Sequence, residues 1–368
     1  MSSSQRQQPP DKPVAWHASC CGEIEHLPTA ITSIDQLEDL LSEPSAGVME
    51  TLGKLEGDLM VLGVGGKMGP TLARMARRAL DALGKKARVI GVSRFNQAGL
   101  EDRLRAQGIE TIRCDLLDQK HLDGLPDAAN VVAMTGMKFG ATGQAAMTWA
   151  MNVYLAGMIG QRFSSSRIVA FSTGNVYPLT PVERGGSVET DEPAPMGEYA
   201  ITALGRERLY EHFSRALGTR IALLRLNYAN ELRYGVLVDL AQKVRDGESI
   251  DLAMGYFNAL WQADANAMAL RCFDHVTSPP FVINLAGPET LAVRQVCEQF
   301  GKSFDRAPRF VGVEAPDALL SNARLSQRLF GAPRVDALRL TGWIAEWIRG
   351  GGASHGKPTH FEARDGKF

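Results

Sequence analysis

The chain has no long apolar run, almost no charge imbalance and few cysteines, and each shortage excludes a class of protein. No apolar stretch reaches the roughly 18 residues that a membrane-spanning helix needs. Met1 to Pro10 is Ser, Gln and Pro, without the apolar core of a secretory signal. A formal charge of -1 at pH 7 gives no global field to draw nucleic acid or a membrane surface. The five cysteines, Cys20, Cys21, Cys114, Cys272 and Cys297, are odd in number and show no metal-ligand spacing. They read as free thiols in a reducing cytoplasm. Cys20 and Cys21 lie near His17 and His26, yet the expectation there is no metal. What remains is a cytoplasmic enzyme or binding protein for a small molecule.

What is present is organised around Gly63-Val64-Gly65-Gly66-Lys67-Met68-Gly69. Before it stands the apolar run Asp58 to Leu62, of strand length; after it, Thr71 to Leu80 has helical spacing. Strand, glycine turn and helix together make a phosphate-binding hypothesis, with free N–H groups and partial positive charge at the helix start. The second strand, Ala87 to Ser93, lacks the terminal carboxylate that would bind a ribose 2′-hydroxyl. Ser93 and Arg94 stand there instead and suit a 2′-phosphate, favouring NADP over NAD. Asp115, after the third strand, is placed to accept from an adenine amino group, and Asp118 competes for that role. The fourth strand, Asn130 to Ala133, exits through Thr135 and Gly136.

Strands alternating with helices predict an α/β fold: a doubly wound parallel Rossmann sheet with a smaller mixed C-terminal substrate domain. The length of 368 residues allows that division. The expected parts are a disordered tail over 1–25, a helical extension over 26–56, a dinucleotide-binding domain over 57–230, a substrate-binding domain over 231–349 and a C-terminal tail over 350–368. The strand 281–286 is a candidate to rejoin the main sheet. A long helix is expected over Trp149 to Phe163, and the bland role of the extension is to cap the sheet or a partner subunit.

A hydroxyl pair is the second chemical signal. Thr173 ends the fifth strand, Arg167 to Thr173, and Tyr199 opens the next helix. A phenol there can exchange a proton with a substrate hydroxyl if a nearby cation lowers its pKa from about 10. Substrate contacts are expected from Asn175, Asn227, Tyr228 and Arg233, a set suited to a polyhydroxy or anionic ligand.

At these residues the chain resembles the extended short-chain dehydrogenase/reductase family, the group that includes nucleotide-sugar epimerases and dehydratases. The resemblance covers roughly residues 57 to 345. The family's GxxGxxG matches Gly63, Gly66 and Gly69; its acidic residue matches Asp115; Lys138 falls in the loop after the fourth strand; and Asn152-Val153 matches its Asn-Val helix. Its Ser-Ser/Thr-x-x-Val-Tyr segment resembles Ser172 to Tyr177, with the catalytic hydroxyl on Thr173. Leu224-Arg225 and Asp264 to Ala269 follow in the family's order. The resemblance implies cofactor contacts from Asn152 and from the turn residues Gly65, Lys67 and Met68, and homodimerisation through the helices at 149–163 and 199–216.

One departure stands out. The family pairs its tyrosine with a lysine four residues on, and here that residue is Ala203. Arg206, about 10 Å along the helix axis from Tyr199, is one source of a replacement charge and Lys138 is another. The third alternative is a chain that has kept dinucleotide binding and lost hydride chemistry. The resulting expectation is an NAD(P)-dependent oxidoreductase or epimerase acting on a sugar, sugar acid or nucleotide sugar, with Tyr199 and Thr173 in acid–base roles. A regulatory or scaffold protein with a degenerate site is the rival, and a dehydratase ranks lower because no carboxylate directly follows Thr173.

Overall fold

A computed structural model describes residues 27–138 and 143–366. The expected tail over 1–25, with Cys20 and Cys21, lies outside the described residues. Seven parallel strands form the central sheet: β1 (Leu59–Leu62), β2 (Val89–Ser93), β3 (Glu110–Arg113), β4 (Asn130–Ala133), β5 (Arg167–Thr173), β6 (Arg220–Leu226) and β7 (Phe281–Leu285). Their spatial order is β7-β6-β5-β4-β1-β2-β3. The order reverses between β1 and β4, which opens a crevice at the strands' carboxyl ends, the usual ligand position in such sheets.

Period-two alternation explains the three layers. In β1, Leu59 and Val61 join the core on one face, while Met60 and Leu62 join the core on the other. Both faces are covered, so the strand is apolar throughout. On the first face lie α1 (Ile34–Leu41), α2 (Ala46–Lys54) and α3 (Gly69–Ala82). In α3, Leu72, Met75, Ala76, Ala79 and Leu80 are buried, while Arg74, Arg77 and Arg78 are half-buried on its other side, Arg77 donating to the Ala87 carbonyl at 2.7 Å. Next come α4 (Leu100–Ala106) and α5 (Gln119–Asp123). The second face carries α6 (Ala145–Trp149), a π-helical turn (Ala150–Tyr154), α7 (Leu155–Arg162) and α8 (Gly197–Leu217). The helix expected from Trp149 therefore starts at Ala145, and its middle turn is widened.

The smaller C-terminal part holds α9 (Val236–Asp246), α10 (Gln262–Arg271), α11 (Val293–Phe304), α12 (Arg324–Phe330), α13 (Ala337–Arg349) and two short two-stranded pairings, and two more join it to Thr180–Pro181 and Ala229–Asn230 of the first part. β7 belongs to the main sheet, paired in parallel with β6. Segment 353–366 runs back over the body of the molecule.

The N-terminal extension is part of the core rather than a cap added to it. Ser33 Oγ accepts from Gln36 N at 3.1 Å and starts α1. Leu37, Leu41, Val48 and Leu52 are fully buried against the same core as α3 and α10. Thr51 Oγ1 donates to Asp274 at 2.6 Å, and Trp343 Nε1 donates to the Pro28 carbonyl at 3.0 Å. Thr71, just inside α3, accepts from Gln262 and Asn266 of α10, tying the glycine turn to the second part of the chain. Leu41→Ala is expected to cost about 2–5 kcal/mol in denaturant unfolding. Ile34→Ala, at a 47% exposed position of the same helix, is expected to stay within about 0.5 kcal/mol.

Candidate functional site

The glycine turn is shaped by close approach. Gly63 has φ +85°, and a Cβ there would lie 3.2 Å from the backbone between Met134 and Thr135 at the end of β4. A Cβ on Gly69 would overlap the Val64 carbonyl, so only glycine lets α3 begin this close to β1. Met68 caps α3 without a side-chain hydrogen bond, which leaves first-turn N–H groups facing the crevice. A cradle that side chains would fill, at the start of a 14-residue helix, fits a dinucleotide diphosphate.

Two cavities of about 380 Å³ meet at Gly63, Gly66, Thr135 and Gly136. The first continues past Ser93, Arg94 and Asp115 and suits an adenosine half. Asp115 Oδ1 accepts from Leu117 N at 3.1 Å. Asp118 is occupied otherwise: it caps α5, accepting from Lys120 N and His121 N, so it does not compete with Asp115. The second cavity continues to Lys67, Lys138, Thr173, Tyr199, Asn227 and Tyr228.

β5 delivers Thr173 and α8 delivers Tyr199 to this second cavity, which both side chains line. Thr173 Oγ1 also donates to Asn175 Oδ1 at 2.9 Å and accepts from Asn175 N at 3.2 Å, which fixes its rotamer. The phenol's pKa departs from the expected direction. Burial raises the Tyr199 pKa, and the Arg206 charge and the Thr173 hydrogen bond offset it only in part. Ala203 explains why: it is fully buried in a small apolar cluster with Val176 and Tyr177, and brings no charge beneath the phenol.

Arg206 is the nearest replacement, and it is held in place. Its guanidinium donates to the Phe171 carbonyl at 2.9 Å, to Asn152 Oδ1 at 2.6 Å and to the Asn152 carbonyl at 3.3 Å. Asn152 is buried and borders neither cavity, so its expected cofactor contact becomes a positioning role. It receives Met137 N at 2.8 Å and donates to the Met137 carbonyl and to Thr202, fixing the loop after β4. The widened π-helical turn is where Asn152 reaches that loop.

Five further ionisable groups lie in or beside this cavity. Lys138 Nζ lies 5.9 Å from the Tyr199 ring centroid, and burial lowers it to about 8 against the opposing Asp239 charge. Lys67 Nζ sits 3.2 Å over the Tyr234 ring. Burial first, then the ammoniums of Lys357 and Lys138, lower Lys67 to about 7. Burial also raises the phenols of Tyr228 and Tyr234 and the carboxyl of Asp239. Arg233 is not brought to this cavity. It is committed to Glu38 at 2.7 Å and Glu231 at 2.9 Å, and borders the groove beside α1. Tyr234 closes the polar stretch 227–234 after the sixth strand, which the sequence already marked as a substrate-binding candidate; sequence reasoning missed Asp239 and the tail residues Lys357 and Thr359, which no family motif or strand-end position marked.

Among the described residues no group of His, Cys, Asp and Glu could hold a metal ion, and no helix is long and apolar enough to cross a membrane. Replacing Arg206 with Met leaves the Phe171 and Asn152 carbonyls without their donor. It is expected to cost at least about 2 kcal/mol in denaturant unfolding, with Arg206→Lys intermediate because it keeps charge and loses the planar fork.

The sequence profile of the NAD-dependent epimerase/dehydratase family matches residues 59–250. No curated protein matches the chain. Among solved structures, MoeE5 in complex with UDP-glucuronic acid and NAD has a TM-score of 0.62 at 19% identity, covering 80% of this chain and 99% of that one. UDP-glucose 4-epimerase from Thermotoga maritima, with UDP-glucose, has 0.64 at 16% identity over 79% and 98%. UDP-glucuronic acid 4-epimerase from Bacillus cereus, in complex with UDP-glucuronic acid and NAD, also has 0.64 at 16% identity, over 79% and 99%. At these identities the likeness is one of fold. The profile, however, takes in more than half of the chain, from the glycine turn through Thr173 and Tyr199 to α9, and on that ground the chain belongs to the NAD-dependent epimerase/dehydratase family.

Proposed function

We propose that the protein is a hydride-transfer epimerase or dehydrogenase of a sugar, sugar acid or nucleotide sugar. The observation that carries this reading is the Thr173–Tyr199 hydroxyl pair, set together in the wall of a cavity continuous with the glycine turn. The structural neighbours in complex with UDP-glucuronic acid and NAD support the substrate class and the dinucleotide. Gly63, Gly65, Gly66, Met68 and Gly69 would hold the diphosphate, Asp115 the adenine, and Thr135 and Gly136 the middle of the dinucleotide. Ser93 and Arg94, in place of a carboxylate at the end of β2, support NADP over NAD. When bound, the dinucleotide supplies the hydride acceptor and donor. Residues 57–230 then act as the dinucleotide half and 231–349 as the substrate half, with Asn175, Asn227 and Tyr228 on the substrate.

The chain's own part is proton handling and positioning. Tyr199 Oη exchanges a proton with the substrate hydroxyl, Thr173 orients that phenol, and Asn175 holds Thr173. Arg206 stabilises the phenolate through space and transfers no proton, because a guanidinium stays charged. Lys138, 5.9 Å from the Tyr199 ring centroid, and Lys67, over the Tyr234 ring, both titrate near neutrality. Exposed Met147, Trp149 and Tyr154 on the α6 side, with Met196 and Ile201 at the start of α8, support a homodimer face. The degenerate-site alternative rests on Ala203.

Tyr199→Phe separates the two readings. Turnover of NAD(P) with a sugar alcohol substrate should fall by at least about a hundredfold, while dinucleotide affinity changes little; equal activity in the variant would overturn the catalytic role. The raised phenol fixes the pH dependence. Below its pKa Tyr199 is protonated, so oxidation should accelerate as pH rises through the alkaline range. Reduction, which uses the phenol as acid, should stay level and then fall there. Opposite slopes would contradict Tyr199 as the proton-exchanging group.

A further inference from the structure

The C-terminal segment 353–366 is polar and glycine-rich, yet it is tied down along its length. His355 N donates to the Arg233 carbonyl at 3.0 Å, and His355 Nε2 lies 3.2 Å from Glu231. Thr359 donates twice to Asp239 of α9, from N at 2.7 Å and from Oγ1 at 2.6 Å. Phe361 is buried against Phe257, with ring centroids 5.9 Å apart. Glu362 pairs with Lys243 at 3.1 Å, and Arg364 donates to the Ala253 and Asp317 carbonyls, both at 3.0 Å. Gly366 packs on Met196 and Gly197, at the start of the helix that carries Tyr199.

This path crosses the open side of the crevice. Thr359 borders the cavity of Tyr199 and Thr173. Two residues earlier, Lys357 borders the adenosine-side cavity with Gly65, Gly66, Ser93 and Arg94. Lys357 also borders the groove at Lys67, Pro70 and Thr71, where α3 begins. The glycine turn thus carries one lysine, the loop after β4 a second and the returning tail a third. Like charges gathered from three separate segments repel one another, and an anion between them relieves that repulsion.

We propose that segment 353–366 is the outer wall of the dinucleotide cleft and that Lys357 is a phosphate-binding residue, its ammonium set against the dinucleotide's diphosphate beside Gly65 and Gly66. The inference rests on the dinucleotide reading above and adds to it a contact from outside the nucleotide-binding half. The lowered pKa of Lys67, to which Lys357 contributes, agrees with ammoniums that feel each other across the cleft. Because the strap ends on Gly197, it joins the cofactor side of the cleft to the start of α8. Its anchors at Asp239, Phe257 and Asp317 hold that course whether or not Lys357 is engaged.

Lys357 is exposed, so its substitution should leave the fold intact. The test is isothermal titration of the full chain, Lys357→Ala and Lys357→Glu with NADP, NAD and ADP, with unliganded melting temperatures as the folding control. The expected result is a parallel loss of affinity for all three, about fivefold for Ala and more than about tenfold for the reversed charge, with unchanged melting. Unchanged affinity in both variants would overturn the inference and leave the dinucleotide reading standing. A loss confined to NADP would overturn the diphosphate placement and put the contact on the 2′-phosphate. An intact chain that binds none of the three would overturn the dinucleotide reading, and this inference with it.

Discussion

The structure depends on one close approach: the start of α3 against the turn after β1. Gly69 meets the Val64 carbonyl where any side chain would overlap it, and Gly63 passes within 3.2 Å of β4's exit when given a Cβ. These contacts aim the α3 N-terminus at the switch point of the sheet, between β1 and β4. Thr71 then passes the constraint outward through Gln262 and Asn266 to α10. The N-terminal helices close the remaining apolar face of α3. A backbone approach of this kind tolerates little rearrangement, which is why so much of the chain is packed around it.

The Tyr199 side of the cleft is ordered by a second constraint, the buried Arg206 guanidinium. It joins the end of β5, the π-helical turn and α8 through Phe171 and Asn152. Asn152 in turn fixes Met137, one residue before Lys138. A single buried cation therefore sets the relative positions of the phenol, the threonine and the loop lysine. Below it, Arg225 and Glu207 pair at 2.7 Å and hold Ser172 and Tyr177, so the turn after β5 rests on a satisfied polar network. Ala203, buried beside Val176 and Tyr177, adds no charge to this scaffold, so the phenol's electrostatics rest on burial and on Arg206.

Much of this was legible in the sequence. The strands β1, β2, β4, β5 and β6 are apolar runs ending in turn residues, and the glycine spacing located the close-packed turn before α3. Position in the sheet was enough to pair Thr173 with Tyr199. The rest needed three-dimensional accounting. The direction of the Tyr199 shift depends on how much burial outweighs one distant guanidinium, which spacing does not measure. Asn152 and Arg233 carry the right chemistry for ligand contacts, but stronger nearby partners claim them. The tail was illegible because its course is set by a few scattered anchors, Thr359, Phe361 and Arg364, rather than by a periodic apolar face. Tyr234 and Asp239 reach the phenol's surroundings from the second half of the chain, through a loop and a helix that carry no family signature.

The central claim is that the glycine turn and the cavities beside it form one dinucleotide site. Native mass spectrometry of the purified chain in the presence of equal NAD and NADP tests it directly. The expected spectrum shows one dinucleotide per chain, with the NADP adduct dominant. A chain that remains bare at saturating concentrations of both would contradict it.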